Sequence, residues 1–405
     1  MKSVIILGDG MADHPVAELG GRTPLMAADT PAMDEIARRG VNGLFRTIEP
    51  DVAPGSEAAN LSVLGYDPRV CLEGRGVLEA ASLGVELENG DVAMRVNLVT
   101  IRDGRLESHS AGHIGDEDAG LLIRDLDRYF AEWPLRLIQG LSYRHLLVLP
   151  EADPALICHP PHDHIGESVE KLVVSPKKAS ATATAALLNR MVKESVNFLN
   201  DHPVNRRRRA RGEKPASALW PWSPGRKPAM KTLRERFGLR GAAISAVDLI
   251  KGIALYAGMD VIPVKGATGL FDTHYEGKAE AAIRALDDHD LVYVHVEAAD
   301  EAGHDRDLAL KIRCIENLDL RLIRLVLDHV RGLREPVTLA VLPDHPTPVS
   351  TGKHARDPVP FAVMAPDIEP DGVEKYDELS AQAGSLGILH GDRFIEYVLN
   401  RTRVR

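Results

Sequence analysis

The chain has 405 residues, 44% hydrophobic and 27% charged. At about 150 residues per domain it is long enough for two or three domains, and it is too apolar for a disordered or fibrous protein. Aromatic residues make up only 4%, and 59 acidic side chains against 49 Lys and Arg give a formal charge of -10. This balance argues against stacking platforms for single-stranded nucleic acid and against general binding to nucleic acids or membranes. Cys71, Cys158 and Cys314, odd in number and far apart, make neither a disulfide framework nor a Cys-rich zinc site.

In chain order, the first apolar run is residues 4–7, closed by Gly8-Asp9-Gly10. It is too short for a signal-peptide core of about 7–15 residues or a membrane span of about 20, and no longer run follows. A cytoplasmic protein is therefore expected. The run reads as a buried strand entering a turn. Pro54-Gly55-Ser56 reads as a turn into a helix, with the serine hydroxyl beside the helix N-terminus, where backbone amides favour an anion. From about 70 to 225 turn signals multiply; this stretch holds an apolar run at 146–149, an arginine-rich segment at 206–209 and Trp220-Pro221-Trp222. Beyond it come apolar runs at 242–244, 291–296, 337–342 and 361–364. Leu308, Ile312, Ile315, Leu318, Leu322 and Leu325 form one helical stripe.

Short strands buried on both faces and alternating with helices indicate an α/β fold with a mostly parallel sheet. The changed texture of the middle predicts a core domain made of 1–68 and 229–405, interrupted by a smaller inserted α/β or α+β domain at 69–228. Arg206–Arg209 with Arg211 carry no recognisable reading element for nucleic acid, so one substrate-facing arginine and several solvated ones are expected.

Three strand candidates end in acidic residues: Asp9, Asp300 and Asp344. In open α/β sheets the carboxyl ends of the strands form the ligand-binding edge, so residues from three distant segments can meet there. Asp300 and His304 are four apart, on one face of a helical turn. His345 adjoins Asp344, and His354 comes nine residues later in a Gly-Lys-His loop. Neutral imidazole with carboxylate suits zinc or manganese, and six such groups exceed the needs of one tetrahedral ion but suffice for two.

Taken together, Gly8–Asp13, Pro54-Gly55-Ser56 running on to Leu64-Gly65-Tyr66-Asp67-Pro68, Ser142-Tyr143-Arg144-His145, the segment from Ser245 to Gly252, Asp300-Glu301-Ala302-Gly303-His304 and Pro343-Asp344-His345-Pro346-Thr347-Pro348 resemble, in order, the archaeal-type cofactor-independent phosphoglycerate mutases. This branch of the alkaline phosphatase superfamily also occurs in bacteria. The resemblance implies a phosphatase-like core with two divalent ions, Mn2+ first among Mg2+, Zn2+ and Co2+, and an inserted transferase domain that closes over the site. It implies one ion held by Asp300, His304 and His354, and another by Asp9, Ser56, Asp344 and His345. Ser56 would be the phosphorylated nucleophile in the interconversion of 3-phosphoglycerate and 2-phosphoglycerate, with no need for 2,3-bisphosphoglycerate. The partner is then a small phosphorylated substrate, not nucleic acid or membrane.

Arg95, Asn97, Arg144, Asn205 and Arg208 are the matching candidates for substrate binding, Lys251 for a lysine on the core side, and His109 for an acid/base. His159, His162, Asp163 and His164 form a further cluster, read equally well as a substrate-facing loop or a polar turn. Two details depart from the family pattern: Ala299 stands where a proline commonly precedes Asp300, and Ser223-Pro224-Gly225 replaces a Gly-rich turn. Neither removes a ligand. A relative with the same serine chemistry and another acceptor, such as a homoserine kinase, shares these motifs; no Walker-type loop is present to favour it.

Overall fold

Valine and isoleucine, branched at Cβ, pack well on a pleated surface, and the apolar runs accordingly form strands. The structure, a computed structural model, describes residues 2–400. Its strands in chain order are β1 (Lys2–Gly8), β2 (Val41–Arg46), β3 (Val92–Arg102), β4 (Arg105–Ser108), β5 (Arg136–Ile138), β6 (Arg144–Leu149), β7 (Leu156–Ile157), β8 (Ser175–Pro176), β9 (Ala218–Arg226), β10 (Gly241–Ile244), β11 (Asp260–Val261), β12 (Leu291–Val296), β13 (Val337–Leu342), β14 (Val359–Met364) and β15 (Ile388–His390). The chain divides into two units: one built from the residues up to Cys71 together with those from Ala229 onward, the other from Leu72–Pro228.

The first unit holds an eight-stranded sheet in the order β11-β10-β12-β1-β13-β14-β2-β15. It is mostly parallel, as the sequence predicts; β14 runs against its neighbours β13 and β2. β1 lies at the centre, with Leu7 opposite His295 on β12 and Leu342 on β13. Because these three strands are parallel and in register, the segments after them emerge side by side at one edge. Helices cover the sheet through Ile36, Tyr275, Ala282, Ile315, Leu322 and Val326, all buried.

The leucine stripe predicted after residue 307 is interrupted. Helices Leu308–Leu318 and Arg324–Gly332 are joined by a π-turn at Asp319–Ile323, which adds a residue to the turn and rotates the second helix relative to the first. Leu325 therefore comes out exposed, while Val326, Leu327 and Val330 face the core. The buried Asp319 carboxylate accepts from Ala32 N and Met33 N, at 3.0 and 2.7 Å, in the first turn of a neighbouring helix. A second internal tie is the fully buried Lys311, whose ammonium donates to Asp13 Oδ2 (2.7 Å), Ala12 O (3.1 Å) and Thr347 O (2.8 Å). Removing one partner of such a pair typically costs about 3–5 kcal/mol, because the other is left charged and buried.

In the second unit, β3 pairs with β4, β6 and β9, and β6 with β5, all antiparallel. Residues 146–149, read from sequence as part of a parallel sheet, belong here: a four-residue apolar run carries no information on strand direction. Along β3, Val92, Met94, Val96 and Leu98 pack into a core with Leu122, Ile123 and Leu126 of helix Asp116–Tyr129 and with Leu188 and Met191 of helix Thr182–Asn200. Period-two alternation puts Arg95 and Asn97 on the opposite face. All three cysteines are free. Among the described residues no helix is long and apolar enough to cross a membrane.

His145 on β6 is buried, its Nδ1 accepting from Gly140 N at 3.1 Å, and its Nε2 has no partner. Burial pushes its pKa down to about 4, against a weaker upward pull from Asp116. A histidine held neutral in the fold takes its proton first in the unfolded chain. Stability is therefore intact above the unfolded value of about 6.5 and falls as the pH drops from there to about 4, by roughly 3 kcal/mol from this group. Denaturant titrations across that window are expected to show about one proton less uptake on unfolding in His145→Gln; an unchanged pH slope would contradict the assignment.

Candidate metal centre

Asp9 lies just after β1 in a Gly-Asp-Gly turn. Gly10 has φ +60, and a Cβ there would lie 2.6 Å from Asp300 Cα, so only glycine lets this turn approach the segment after β12. That segment is the short helix Ala298–His304, in which Asp300 and His304 share a face, with His304 Nε2 3.1 Å from Asp300 Oδ2. His354, from the loop after β13, brings its Nε2 to 2.9 Å from His304 Nε2 and 3.5 Å from Asp300 Oδ1. Beside this group lie Asp9, Asp344 and His345, all fully buried. His345 Nε2 is 3.6 Å from Asp9 Oδ1 and 3.5 Å from Asp344 Oδ2. The rings of His345 and His354 are 4.1 Å apart, so the two groups adjoin. Ser56, the first residue of helix Ser56–Val63, places its Oγ 3.2 Å from His345 Nε2.

Further residues hold these groups in place. Asp344 Oδ1 accepts from Gly10 N (3.1 Å) and His345 N (2.9 Å), and its Oδ2 from Asn60 Nδ2 (3.0 Å). Asn60 is itself fixed by the Tyr293 hydroxyl. Thr347 Oγ1 bonds Asp300 Oδ1 and His345 Nδ1. His295 Nε2 is 2.9 Å from Asp9 Oδ2, and Glu297 lies close by. Sequence reasoning missed Asn60, Tyr293, His295, Glu297 and Thr347. Two signals were available: Asn60 is one helical turn after Ser56, and His295 is the imidazole that interrupts an otherwise apolar strand.

The electrostatics are divided. Burial, then repulsion from Asp344, Glu297 and Asp300, raises the Asp9 pKa well above the carboxylate range, and Asp9 Oδ1 has no hydrogen-bond partner. Burial and then Asp300 push Glu297 up to about 8. Burial also opposes ionisation of Asp300, but hydrogen bonds from His304 and His354 outweigh it and hold its carboxyl well below the usual range. In return Asp300 lifts His304 to about 9. Ligating atoms of Asp300, His304 and His354, and of Asp9, Asp344 and His345, each lie within 4.8 Å of one another. Crowded carboxylates, a buried unpartnered oxygen and two imidazole nitrogens turned toward each other fit divalent cations: the ion supplies the positive charge these residues lack.

The remaining predicted residues fall elsewhere. Lys251, on helix Asp248–Tyr256, pairs with Asp248 at 3.0 Å and makes no hydrogen bond to the cluster. In the second unit, Arg95 pairs with Glu79 and lies 5.0 Å from the Trp222 ring, while Asn97 accepts from Trp222 Nε1 (3.0 Å) and donates to His109 O (3.0 Å). The His109 ring is within 5.5 Å of Tyr143, 6.2 Å of His113 and 6.4 Å of His162. Arg144 is exposed beside Tyr143. His162 thus joins the His109 group, whereas His164 pairs with Glu167 at 3.0 Å and Asp163 is exposed beside His162.

Asn205 and Arg208 are held by internal bonds. Both are buried: Asn205 spends its amide on Leu199 O, Ala216 O and Ala216 N, and Arg208 its guanidinium on Lys214 O, Ala111 O, Asp118 and Glu213. They brace the loop after helix Pro203–Ala210. An arginine-rich helix looks the same in sequence whichever of its guanidinium groups turns inward.

Because ionised Asp9 is disfavoured without a cation, Asp9→Asn is expected to raise the melting temperature of chelator-treated protein above that of treated wild type at pH 8. A lower melting temperature would contradict the crowding of charge described here.

Comparison with known proteins gives a consistent result. A family model described as 2,3-bisphosphoglycerate-independent phosphoglycerate mutase matches residues 37–205. A 2,3-bisphosphoglycerate-independent phosphoglycerate mutase of Methanosarcina barkeri is 49% identical over 397 residues, 98% of each chain. A probable one of Geobacter sulfurreducens is 45% identical over 99% of this chain and 100% of its own. Among solved structures, a protein of Pyrococcus horikoshii is similar with a TM-score of 0.84 and 32% identity, over 100% of this chain and 98% of that one. The cofactor-independent phosphoglycerate mutase of Thermoplasma acidophilum gives 0.71 and 30%, over 99% and 100%.

Proposed function

The chain belongs to the 2,3-bisphosphoglycerate-independent phosphoglycerate mutase family, and from that premise we propose that it interconverts 3-phosphoglycerate and 2-phosphoglycerate through a phosphoserine at Ser56, without 2,3-bisphosphoglycerate. The observation that carries this reading is the position of Ser56: its hydroxyl is 3.2 Å from His345, at the N-terminus of a helix, beside two groups of metal-ligating side chains. Asp300, His304 and His354 would hold one divalent ion; Asp9, Asp344 and His345, with Ser56 Oγ, would hold the second. When bound, such ions lower the pKa of a coordinated hydroxyl and neutralise phosphoryl oxygens, and Mn2+ suits the mixed nitrogen and oxygen donors.

The chain's own residues do the rest. Ser56 Oγ gives up its hydrogen and attacks phosphorus, the Oγ–P bond forms, and the bond to the 3-oxygen of glycerate breaks as that oxygen takes up a proton. Glycerate re-orients, and its 2-oxygen takes the phosphoryl group back from Ser56. The amides at the start of helix Ser56–Val63 favour the phosphate anion on Ser56. Arg95 and Arg144 are the cations of the inserted unit suited to phosphate and carboxylate, with Asn97 and His109 fixed beside Trp222 and Tyr143. Lys251 is the candidate lysine of the first unit. Asn205 and Arg208 act by bracing, through the internal bonds described above. On this reading the inserted unit is the transferase domain, and the enzyme works in the cytoplasm, where charged phosphorylated substrates are retained.

Protein stripped with a chelator is expected to lose activity, and reloading with Mn2+ to restore formation of 2-phosphoglycerate from 3-phosphoglycerate in an enolase-coupled assay without 2,3-bisphosphoglycerate. Ser56→Ala should lower the rate by on the order of 10³ or more, as expected for loss of a nucleophile. No 2-phosphoglycerate from the reloaded wild type, with ATP-dependent phosphorylation of homoserine instead, would overturn the reading.

A further inference from the structure

Asp9, His295 and Glu297 also place ligating atoms within 4.8 Å of one another, and no step of the proposed reaction uses His295 or Glu297. The hydrogen bonds around His295 define its part. Ser245 Oγ accepts from Val247 N at 3.0 Å and lies 3.3 Å from His295 Nδ1. An ionised carboxylate only accepts, so with Asp9 in its cation-binding form His295 Nε2 carries the ring hydrogen and donates it to Asp9 Oδ2 at 2.9 Å, and Nδ1 accepts from the Ser245 hydroxyl. Glu297 Oε2, at 3.7 Å from Nε2, is outside hydrogen-bond range. A nitrogen bearing hydrogen has no lone pair for an ion. Ser245 and His295 are buried, and the backbone of His295 is anchored twice: β12 pairs with β1, with His295 opposite Leu7, and His295 O accepts from Lys278 Nζ at 3.0 Å.

We propose that His295, held by Ser245, is a positioning residue for the cation group of Asp9, Asp344 and His345, and not the ligand of a third ion. This rests on the metal reading above. Asp9 needs such a device because Asp344, Glu297 and Asp300 all repel it. The hydrogen bond from His295 pins Oδ2, and Oδ1, which makes no hydrogen bond, is thereby aimed toward His345, 3.6 Å away. Partners of this kind typically change metal affinity by about 10–100-fold when removed.

Isothermal titration of chelator-stripped protein with Mn2+ tests the inference separately from catalysis. Wild type is expected to bind two ions. His295→Leu should keep one at wild-type affinity and weaken the other by about 10–100-fold. His295→Gln, whose amide nitrogen can reach the place of Nε2, should recover most of that loss. Ser245→Ala should weaken the same ion by a smaller factor, and it decides the matter if circular dichroism shows that His295→Leu does not fold. Wild-type isotherms in the folded variants would overturn the proposal while leaving the metal reading intact. Three ions in wild type, one of them lost outright in both His295 variants, would make His295 a ligand and also overturn it. Fewer than two ions in wild type would sink the metal reading and the inference with it.

Discussion

Four carboxyl groups, those of Asp9, Glu297, Asp300 and Asp344, converge at one edge of the central sheet, largely shielded from solvent. This crowding is the constraint on which the candidate site turns. Like charges at such distances in a buried setting oppose one another's ionisation, and the chain answers with opposite solutions on the two sides. Asp300 is kept ionised by His304 and His354, while Asp9 and Glu297 are driven toward their neutral forms. A cluster that is unbalanced in this way is costly for the fold alone and well matched to divalent cations.

The sheet makes the crowding possible. β12, β1 and β13 are adjacent, parallel and in register, so the turns after them open side by side. Gly10 and Gly303 then remove the side chains that would hold the loops apart, since a Cβ on Gly303 would meet Thr347 O at 2.5 Å. Lys311 ties two of the same loops to the helix behind them through Asp13, Ala12 and Thr347. The geometry of the ligating groups is therefore a property of the packed core more than of flexible loops, as a preorganised site requires.

Much of this was legible before the structure. Asp9, Asp300 and Asp344 each come after an apolar run, which is a statement about sheet edges, and Asp300 with His304 has helical spacing. The grouping of ligands into two sets came from family resemblance, since spacing alone leaves it open. What sequence could not convey depends on direction and rotation. Residues 146–149 carry no sign of being antiparallel, the π-turn at Asp319–Ile323 leaves no mark on the leucine stripe, and nothing in an arginine-rich helix says that Arg208 turns inward. His295 escaped because an imidazole inside a strand gains meaning only when its neighbour across the sheet is known.

On the proposed reading, two ions next to Ser56 complete the carboxylate cluster. Anomalous scattering from crystals soaked in Mn2+ measures this most directly. Two peaks are expected, one bounded by Asp300, His304 and His354 and the other by Asp9, Asp344, His345 and Ser56 Oγ. A single peak, or manganese lodged between His295 and Glu297, would contradict it.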